Sequence, residues 1–426
     1  MSASRRERQP STYIPGVSDA LALFRNRSLV TLMAGHFTVD AYAGLLPVLY
    51  PLLINKFSLN LATVGFVALA YSGLASVSQP FFGMLADRYG TRMTGLALAW
   101  TACSFAAIGF APTFPVLLVV AAFSGLGSGA FHPVAAVSVS RLLASRARNT
   151  GMSVYVTAGT VGLAAGPVIG VVLFGFFDSR GTAATLVPGL LAGIWLLVRM
   201  RPLPGAPRHQ RSVKAGGAAV PWLVLAVVIL VMMSRNWTVV VLQAFTPTWY
   251  HSMGFQPWFY GPLAATLVLA SAIGTVGSGT LADRFGRRAI IIGSLVLSIP
   301  AVWLYVTFPG PQAFGSAVLV GMLAASSGPL LLVIAQDLLS HRAGFASGLI
   351  LGLGFVTGAI GVPVTGAIAD RIGLQTALEL QIAVVAATIA VAWFLPSEEY
   401  LRSLREPAPA QPQLSMPAKD PIRVRL

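Results

Sequence analysis

The sequence predicts an all-α membrane protein of twelve transmembrane helices, arranged as two pseudo-symmetric six-helix bundles. Three observations carry that prediction. Of the 426 residues, 56% are hydrophobic and only 10% charged, whereas soluble domains carry about 25% charged residues. The apolar residues run in stretches long enough to cross about 30 Å of hydrocarbon, which takes about 20 helical residues. A short polar motif also recurs at the same relative place in each half of the chain.

In the first half the apolar spans fall at about 29–54, 62–86, 93–111, 115–140, 149–176 and 182–199, and in the second at about 221–250, 258–282, 289–307, 313–339, 344–369 and 374–395. Basic residues bound them in a regular pattern. Arg5, Arg6, Arg8, Arg25 and Arg27 precede span 1, Arg88 and Arg92 join spans 2 and 3, and Arg141, Arg146 and Arg148 join spans 4 and 5. Arg199, Arg201, Arg208, Arg211 and Lys214 follow span 6, Arg284, Arg287 and Arg288 join spans 8 and 9, and Arg342 joins spans 10 and 11. Arg402, Arg405, Lys419, Arg423 and Arg425 follow span 12, so only Lys56, Arg180, Arg371 and the intramembrane Arg235 depart from one side. This one-sided distribution is the positive-inside rule and puts both termini in the cytoplasm of a cell inner (plasma) membrane protein. It also accounts for the net charge of +15 without a nucleic-acid partner.

The domain reading is a cytoplasmic N-terminal segment 1–27, a first bundle 28–200, a cytoplasmic linker 201–220, a second bundle 221–396 and a cytoplasmic tail 397–426. The N-terminal segment is polar and basic and lacks the apolar core of a cleavable signal peptide. The tail from Ser397 reads as mobile. Cys103 is the single cysteine; it forms no internal disulfide, has no companion for a metal site and reads as a packed thiol.

The repeat is "GMLADRYGTR" at Gly83–Arg92 returning as "GTLADRFGRR" at Gly279–Arg288, so that residue 87 maps to residue 283 at an offset of 196. The same offset maps Pro51 to Pro247, Pro133 to Pro329, Gly162 to Gly358, Pro167 to Pro363 and Gly170 to Gly366. A duplicated six-helix unit related by an axis normal to the membrane is the architecture of a rocking transporter with a midplane site. The motif mechanics follow from residue type. Gly83 and Gly279 let neighbouring helices approach, and Asp87 and Asp283 sit where a carboxylate meets arginines or a helix N-terminus. Around them stand Arg88, Arg92, Arg284, Arg287 and Arg288; Asp283, Arg287 and Asp337 read as a charge relay, and Arg141, which occupies the position of Asp337, is expected to pair with Asp87. The other reading of these residues is a topology anchor without a gating role.

These motifs and the twelve-span pattern resemble the major facilitator superfamily over nearly all of residues 28–396. Gly162, Gly166, Pro167 and Gly170 in span 5 match most of the G-x-x-x-G-P-x-x-G pattern of superfamily antiporters, departing at Val171. The pattern implies tight small-residue packing and a bend that seals one end of a cavity. "GHFTVDAYAGLLPVLYPLL" in span 1 and "GSGAFHPVAAVSVSR" in span 4 resemble the fosmidomycin resistance protein branch, with Val134 where an acidic residue is expected. That resemblance implies a proton-driven exporter, and in the superfamily spans 1, 4, 7 and 10 line the cavity.

His36 and Asp40 lie four residues apart on one helical face, His132 lies deep in span 4 beyond a flexible "SGLGSG" run, and Arg235 with Asn236 maps to residues 39 and 40. Intramembrane ionisable groups face a cavity or each other and are candidates for proton coupling or substrate binding. Asp40 and Arg235 are expected to pair, either as a switch that a proton or anion opens or as a permanent bridge. Each histidine is a proton-exchange group or a hydrogen-bonded packing residue. Tyr42, Tyr71, Gln79, Tyr155, Trp237 and Gln243 are cavity-lining candidates, and Trp249, Trp258 and Tyr260 read as an external aromatic belt.

The functional expectation is a monomeric, proton-coupled exporter of a small organic or drug-like compound, an antiporter working by alternating access. Its partners are the substrate, protons and the lipid bilayer. The alternative is a proton-coupled importer or facilitator of a small anionic metabolite. No G-x-x-x-x-G-K-[ST] is present to couple ATP directly, no metal or other cofactor is expected, and an enzyme is not.

Overall fold

The computed structural model describes residues 24–89, 93–142, 148–200, 221–339 and 343–403; the side chains of 86–89, 140–141, 148–150, 343–349 and 351 lie outside that description. All regular structure among the described residues is helical. In chain order the helices are α1 (Arg27–Phe57), α2 (Leu61–Ala68 continued through a π-turn, Leu69–Gly73, into Leu74–Tyr89), α3 (Met93–Ile108) and α4 (Phe114–Leu142). They continue with α5 (Arg148–Phe177), a 3₁₀ segment Asp178–Thr185, α6 (Leu186–Arg199), α7 (Trp222–Ser252), α8 (Pro257–Phe285) and α9 (Arg287–Thr307). The last are α10 (Ala313–Leu338), α11 (Ala343–Ile372), α12 (Leu374–Ala392) and a short α13 (Glu398–Ser403). Ten helical segments are long and apolar enough to cross a membrane; one of them, Gly151–Arg199, contains both α5 and α6, and α3 is shorter.

Helix starts follow ordinary capping chemistry. The Asn26 side chain accepts from the Ser28 and Leu29 amides at 3.1 Å to open α1, and Asn60 does the same for Thr63 at 2.8 Å in α2. Pro257 opens α8, where its missing N–H is not needed.

Small residues set the packing inside the first six helices. A Cβ on Gly166 of α5 would sit 2.6 Å from the Ala41 carbonyl oxygen and from Gly44 Cα of α1, and a Cβ on Gly162 would meet the Phe37 backbone. Gly170 meets only side chains, Leu45 and Phe174. The glycine motif of span 5 therefore brings α5 backbone to backbone with α1, while the Pro167 carbonyl lies against Gly261 of α8. The "SGLGSG" run is not a flexible insertion: it is continuous α4, and Gly125 and Gly129 seat α4 on the α2 backbone at Tyr71 and Ala75. Gly83 and Gly279 were expected to permit close approach, but a Cβ on Gly83 would meet only Pro133 at an ordinary 3.7 Å, and one on Gly279 would meet nothing within 4 Å among the described residues.

Other expectations are corrected by burial. Trp249 and Tyr260 are 2% and 4% exposed and belong to the core, because Trp249 stacks edgewise on Tyr250 and Tyr305; only Trp258 stands outside. Cys103 is exposed on the outward side of α3 instead of packed. Part of the tail is ordered: α13 follows Ser397 directly and buries Leu401.

The packing yields a prediction. Gly166→Val forces a side chain into backbone that cannot step aside, and overpacking of this kind costs about 1–3 kcal/mol. Its apparent unfolding temperature in detergent, read by intrinsic fluorescence, should fall by several degrees, while Gly277→Ala, with open space around it, should lose nothing. Equal behaviour of the two variants would refute the packing account.

Candidate functional site

An unpaired carboxylate near mid-bilayer costs about 3 kcal/mol, so the partners of Asp40 decide what it does. Two imidazoles flank it. His36 Nε2 lies 3.3 Å from Asp40 Oδ2, one helical turn away on α1, and His132 Nε2 of α4 lies 3.0 Å from Oδ1. The far nitrogens are fixed by backbone: His36 Nδ1 is 2.9 Å from the Tyr155 carbonyl of α5, and His132 Nδ1 is 2.7 Å from the Ser128 carbonyl. A carbonyl only accepts, so both Nδ1 atoms carry hydrogen and donate. Both Nε2 atoms are then left facing the carboxylate, and each contact needs a proton of its own to be attractive. The three ligand-type atoms lie within 4.8 Å of one another, close enough to hold a small cation between them.

The ring planes are held as firmly as the nitrogens. His36 stacks on Tyr155 with centroids 4.3 Å apart and meets His132 edge-on at 5.3 Å. Gly159 of α5, one turn beyond Tyr155, is the floor of the site: a Cβ there would lie 2.5 Å from Asp40 Oδ2 and from His36 Nε2. His36 is almost sealed, whereas the side chains of Asp40 and His132 keep 20% and 30% exposure, so His132 is the open edge of the cluster.

Arg235 is elsewhere. It is buried within the second half of the chain, donating from Nε to the Ala324 carbonyl and from Nη2 to the Ala325 carbonyl, each at 2.8 Å, and from Nη1 to Asn236 Oδ1 at 2.7 Å. Pro329 lacks the N–H that would bond the Ala325 carbonyl, which explains why that acceptor is available. The expected Asp40–Arg235 pair is not formed, because each group has satisfied itself inside its own half. Asn236 serves Arg235 and packs its amide nitrogen toward Gly354 of α11.

The cavity-lining candidates divide. Tyr42 and Tyr71 are 2% exposed core residues, and Tyr42 donates to the Thr185 carbonyl at 2.8 Å. Tyr155 belongs to the cluster, as the anchor of His36. Trp237 packs on Gly361 of α11, Gln243 lines a small crevice with Ser271 and Ala324, and Gln79 is half-buried on α2.

At the other end of the helices, Arg287 forms a double fork. Its Nη1 meets Asp337 at 2.6 Å, its Nε and Nη2 grip Glu398 at 2.9 and 2.8 Å, and its backbone amide donates to the same carboxylate. Asp283 is exposed and stands outside this arrangement; Glu398, from the short α13, fills the role expected of it. Asp87, Arg88, Arg92 and Arg141 have side chains outside the described residues. Neither Glu398 nor Gly159 carries a motif of its own in the sequence. Gly159 continues the small-residue stripe of Gly162 and Gly166, which is the signal that could have found it.

The Major Facilitator Superfamily profile matches residues 32–350 and 261–425. The chain belongs to the Major Facilitator Superfamily. It is a multi-pass membrane transporter and not an enzyme. The uncharacterized MFS-type transporter YfnC of Bacillus subtilis is 31% identical over 388 residues, 86% of this chain and 92% of that protein. The fosmidomycin resistance protein of Escherichia coli is 27% identical over 349 residues, 80% and 86% of the two chains. Among solved structures, a bacterial homologue of the lysosomal transporter Spinster, in an inward-facing and occupied conformation, aligns with a TM-score of 0.76 at 17% identity, covering 87% of this chain and 96% of its own. The D-xylose-proton symporter aligns at 0.71 and 14% identity, covering 87% and 97%. At such identities the likeness concerns the superfamily fold alone.

Two outcomes follow from the site. Gly159→Ala should abolish the transport carried by this protein while leaving expression and monodispersity intact, because the methyl group separates His36 from Asp40; full activity in that variant would refute the arrangement. The Arg287 fork, hydrogen-bonding Glu398, holds its carboxyl well below the usual range, at about 2. A depressed folded-state pKa stabilises above the unfolded value of about 4.3 and ceases to do so as pH falls through about 2. The unfolding-temperature gap between the parent and Glu398→Gln should therefore be flat from neutral pH to about pH 5 and shrink below it.

Proposed function

We propose that this transporter exports a small organic or drug-like compound by alternating access, in exchange for protons entering through the His36–Asp40–His132 cluster. The observation that carries the reading is the convergence of two backbone-anchored imidazoles on one carboxylate with an open edge at His132. Such a cluster can hold or release protons without moving a heavy atom far, and a histidine exchanges them in the physiological range. Two relatives support the direction: the fosmidomycin resistance protein, and the purine ribonucleoside efflux pump NepI of Salmonella paratyphi A, 28% identical over 200 residues.

The same reading takes the chain as crossing an inner (plasma) membrane twelve times as a monomer, with both termini cytoplasmic. The count is supported by the 3₁₀ segment Asp178–Thr185, which interrupts the 49-residue apolar stretch, and by the shorter apolar helix α3. The one-sided Arg distribution supports that orientation.

A second reading has its own observation. Among the described residues, Arg235 is a buried guanidinium satisfied only by neutral acceptors, and an anionic substrate would supply a counter-charge. That favours a small anionic metabolite, carried inward or facilitated.

In proteoliposomes loaded with pH indicator, addition of fosmidomycin or a purine ribonucleoside separates the two readings. Export should move protons opposite to the compound, with Asp40→Asn abolishing proton movement and resistance in an expressing strain. Movement of both in the same direction would establish the second reading, and coupling that survives Asp40→Asn would remove the cluster from the mechanism.

A further inference from the structure

We infer that Asp370 is the residue that holds the two halves of the transporter shut on the side opposite the arginine-rich loops. The inference rests on the alternating-access reading and adds to it a residue that positions the gate.

A helix leaves its first N–H groups without intrahelical partners, and each needs an acceptor. In α2 the Thr63 amide is satisfied by its own cap, Asn60. The Leu61 and Ala62 amides are satisfied from the other half of the chain: Asp370, near the C-terminal end of α11, places Oδ1 2.8 Å from Leu61 N and Oδ2 2.9 Å from Ala62 N. One carboxylate thus takes both remaining donors, with the favourable charge for a helix N-terminus.

The backbones beneath this cap are in contact. A Cβ on Gly65 of α2 would lie 2.5 Å from Pro363 Cα, and one on Gly366 of α11 would lie 2.6 Å from the Leu61 carbonyl carbon. The cap and the close approach therefore form together and must break together if α2 and α11 part.

The repeat shows that this device is one-sided. The offset of 196 maps Gly65 to Gly261 and Pro363 to Pro167, and these two also meet, a Cβ on Gly261 lying 3.1 Å from the Pro167 carbonyl oxygen. The backbone contact is thus present twice. The polar cap is not: Leu61 maps to Pro257, which has no N–H to donate, and Asp370 maps to Phe174, which has nothing to accept with. At the α5–α8 contact the same closure rests on packing alone, so the Asp370 cap is the part of the seam that a single side chain can release.

The test is a distance measurement on the full chain in lipid nanodiscs, in a Cys103→Ser background with spin labels at Asn55→Cys and Gln312→Cys. These two exposed positions lie in the last turn of α1 and just before α10, one in each half. Asp370→Ala should raise the ratio of long to short separations by about fivefold, the typical worth of a helix cap. Asp370→Asn, which keeps one acceptor oxygen and the side-chain shape, should fall between, and Glu379→Ala should match the parent. An Asp370→Ala distribution identical to the parent, in protein of unchanged monodispersity and unfolding temperature, would overturn the inference, as would an equal shift in Glu379→Ala. Shifted distances in vesicles that move neither protons nor compound would support the latch and sink the exporter reading. Intact export with unshifted distances would do the reverse.

Discussion

Asp40 sits in a membrane-embedded helix and is held by imidazoles, and much of the first half of the chain is arranged to keep them there. Each ring is pinned at Nδ1 by a main-chain carbonyl, so neither can turn away from the carboxylate without losing a hydrogen bond. The pins come from different helices: α5 supplies Tyr155 for His36, and α4 supplies its own Ser128 for His132. The α1–α5 glycine contacts then have a purpose beyond packing, since they set the depth at which Tyr155 and Gly159 meet His36 and Asp40.

The duplicated architecture makes the contrast between halves instructive. Ser128 maps to Ala324, and both carbonyls accept a hydrogen bond from a basic side chain, His132 in one case and Arg235 in the other. The backbone has kept its acceptor while the chemistry attached to it has diverged. One half carries an acid among bases that can exchange protons, and the other carries a permanent cation with neutral partners. The seam between halves repeats the pattern: the glycine–proline contact occurs twice, and the charged cap on it once.

How much of this could be read beforehand depended on the range of the interaction. The apolar spans, the repeat and the superfamily were legible because each is a local or periodic property of the chain. His36, Asp40 and His132 were legible as charged groups placed where hydrocarbon makes charge costly. Their true partners were not: pairing Asp40 with Arg235 rested on matching depth, and depth says nothing about which way a side chain turns once a closer histidine is present. Tyr42, Trp249 and Tyr260 were misplaced for a related reason, since an amphipathic ring near a helix end suits a buried core with one hydrogen bond as well as a belt or a cavity. Glu398 and Asp370 act over sequence separations of 111 and more than 300 residues, and no spacing rule reaches that far.

The central claim is that both imidazoles keep hydrogen on Nδ1 and present Nε2 to Asp40. Nitrogen-15 solid-state NMR of histidine-labelled protein in lipid, titrated from acid to alkaline pH and assigned by single His36→Gln and His132→Gln variants, reads this directly. The account predicts that the Nδ1 signals of both residues remain those of a protonated, hydrogen-bonded nitrogen throughout, while the Nε2 signals alone change with pH. An Nδ1 signal that loses its proton, or Nε2 signals indifferent to replacement of Asp40 by asparagine, would contradict it.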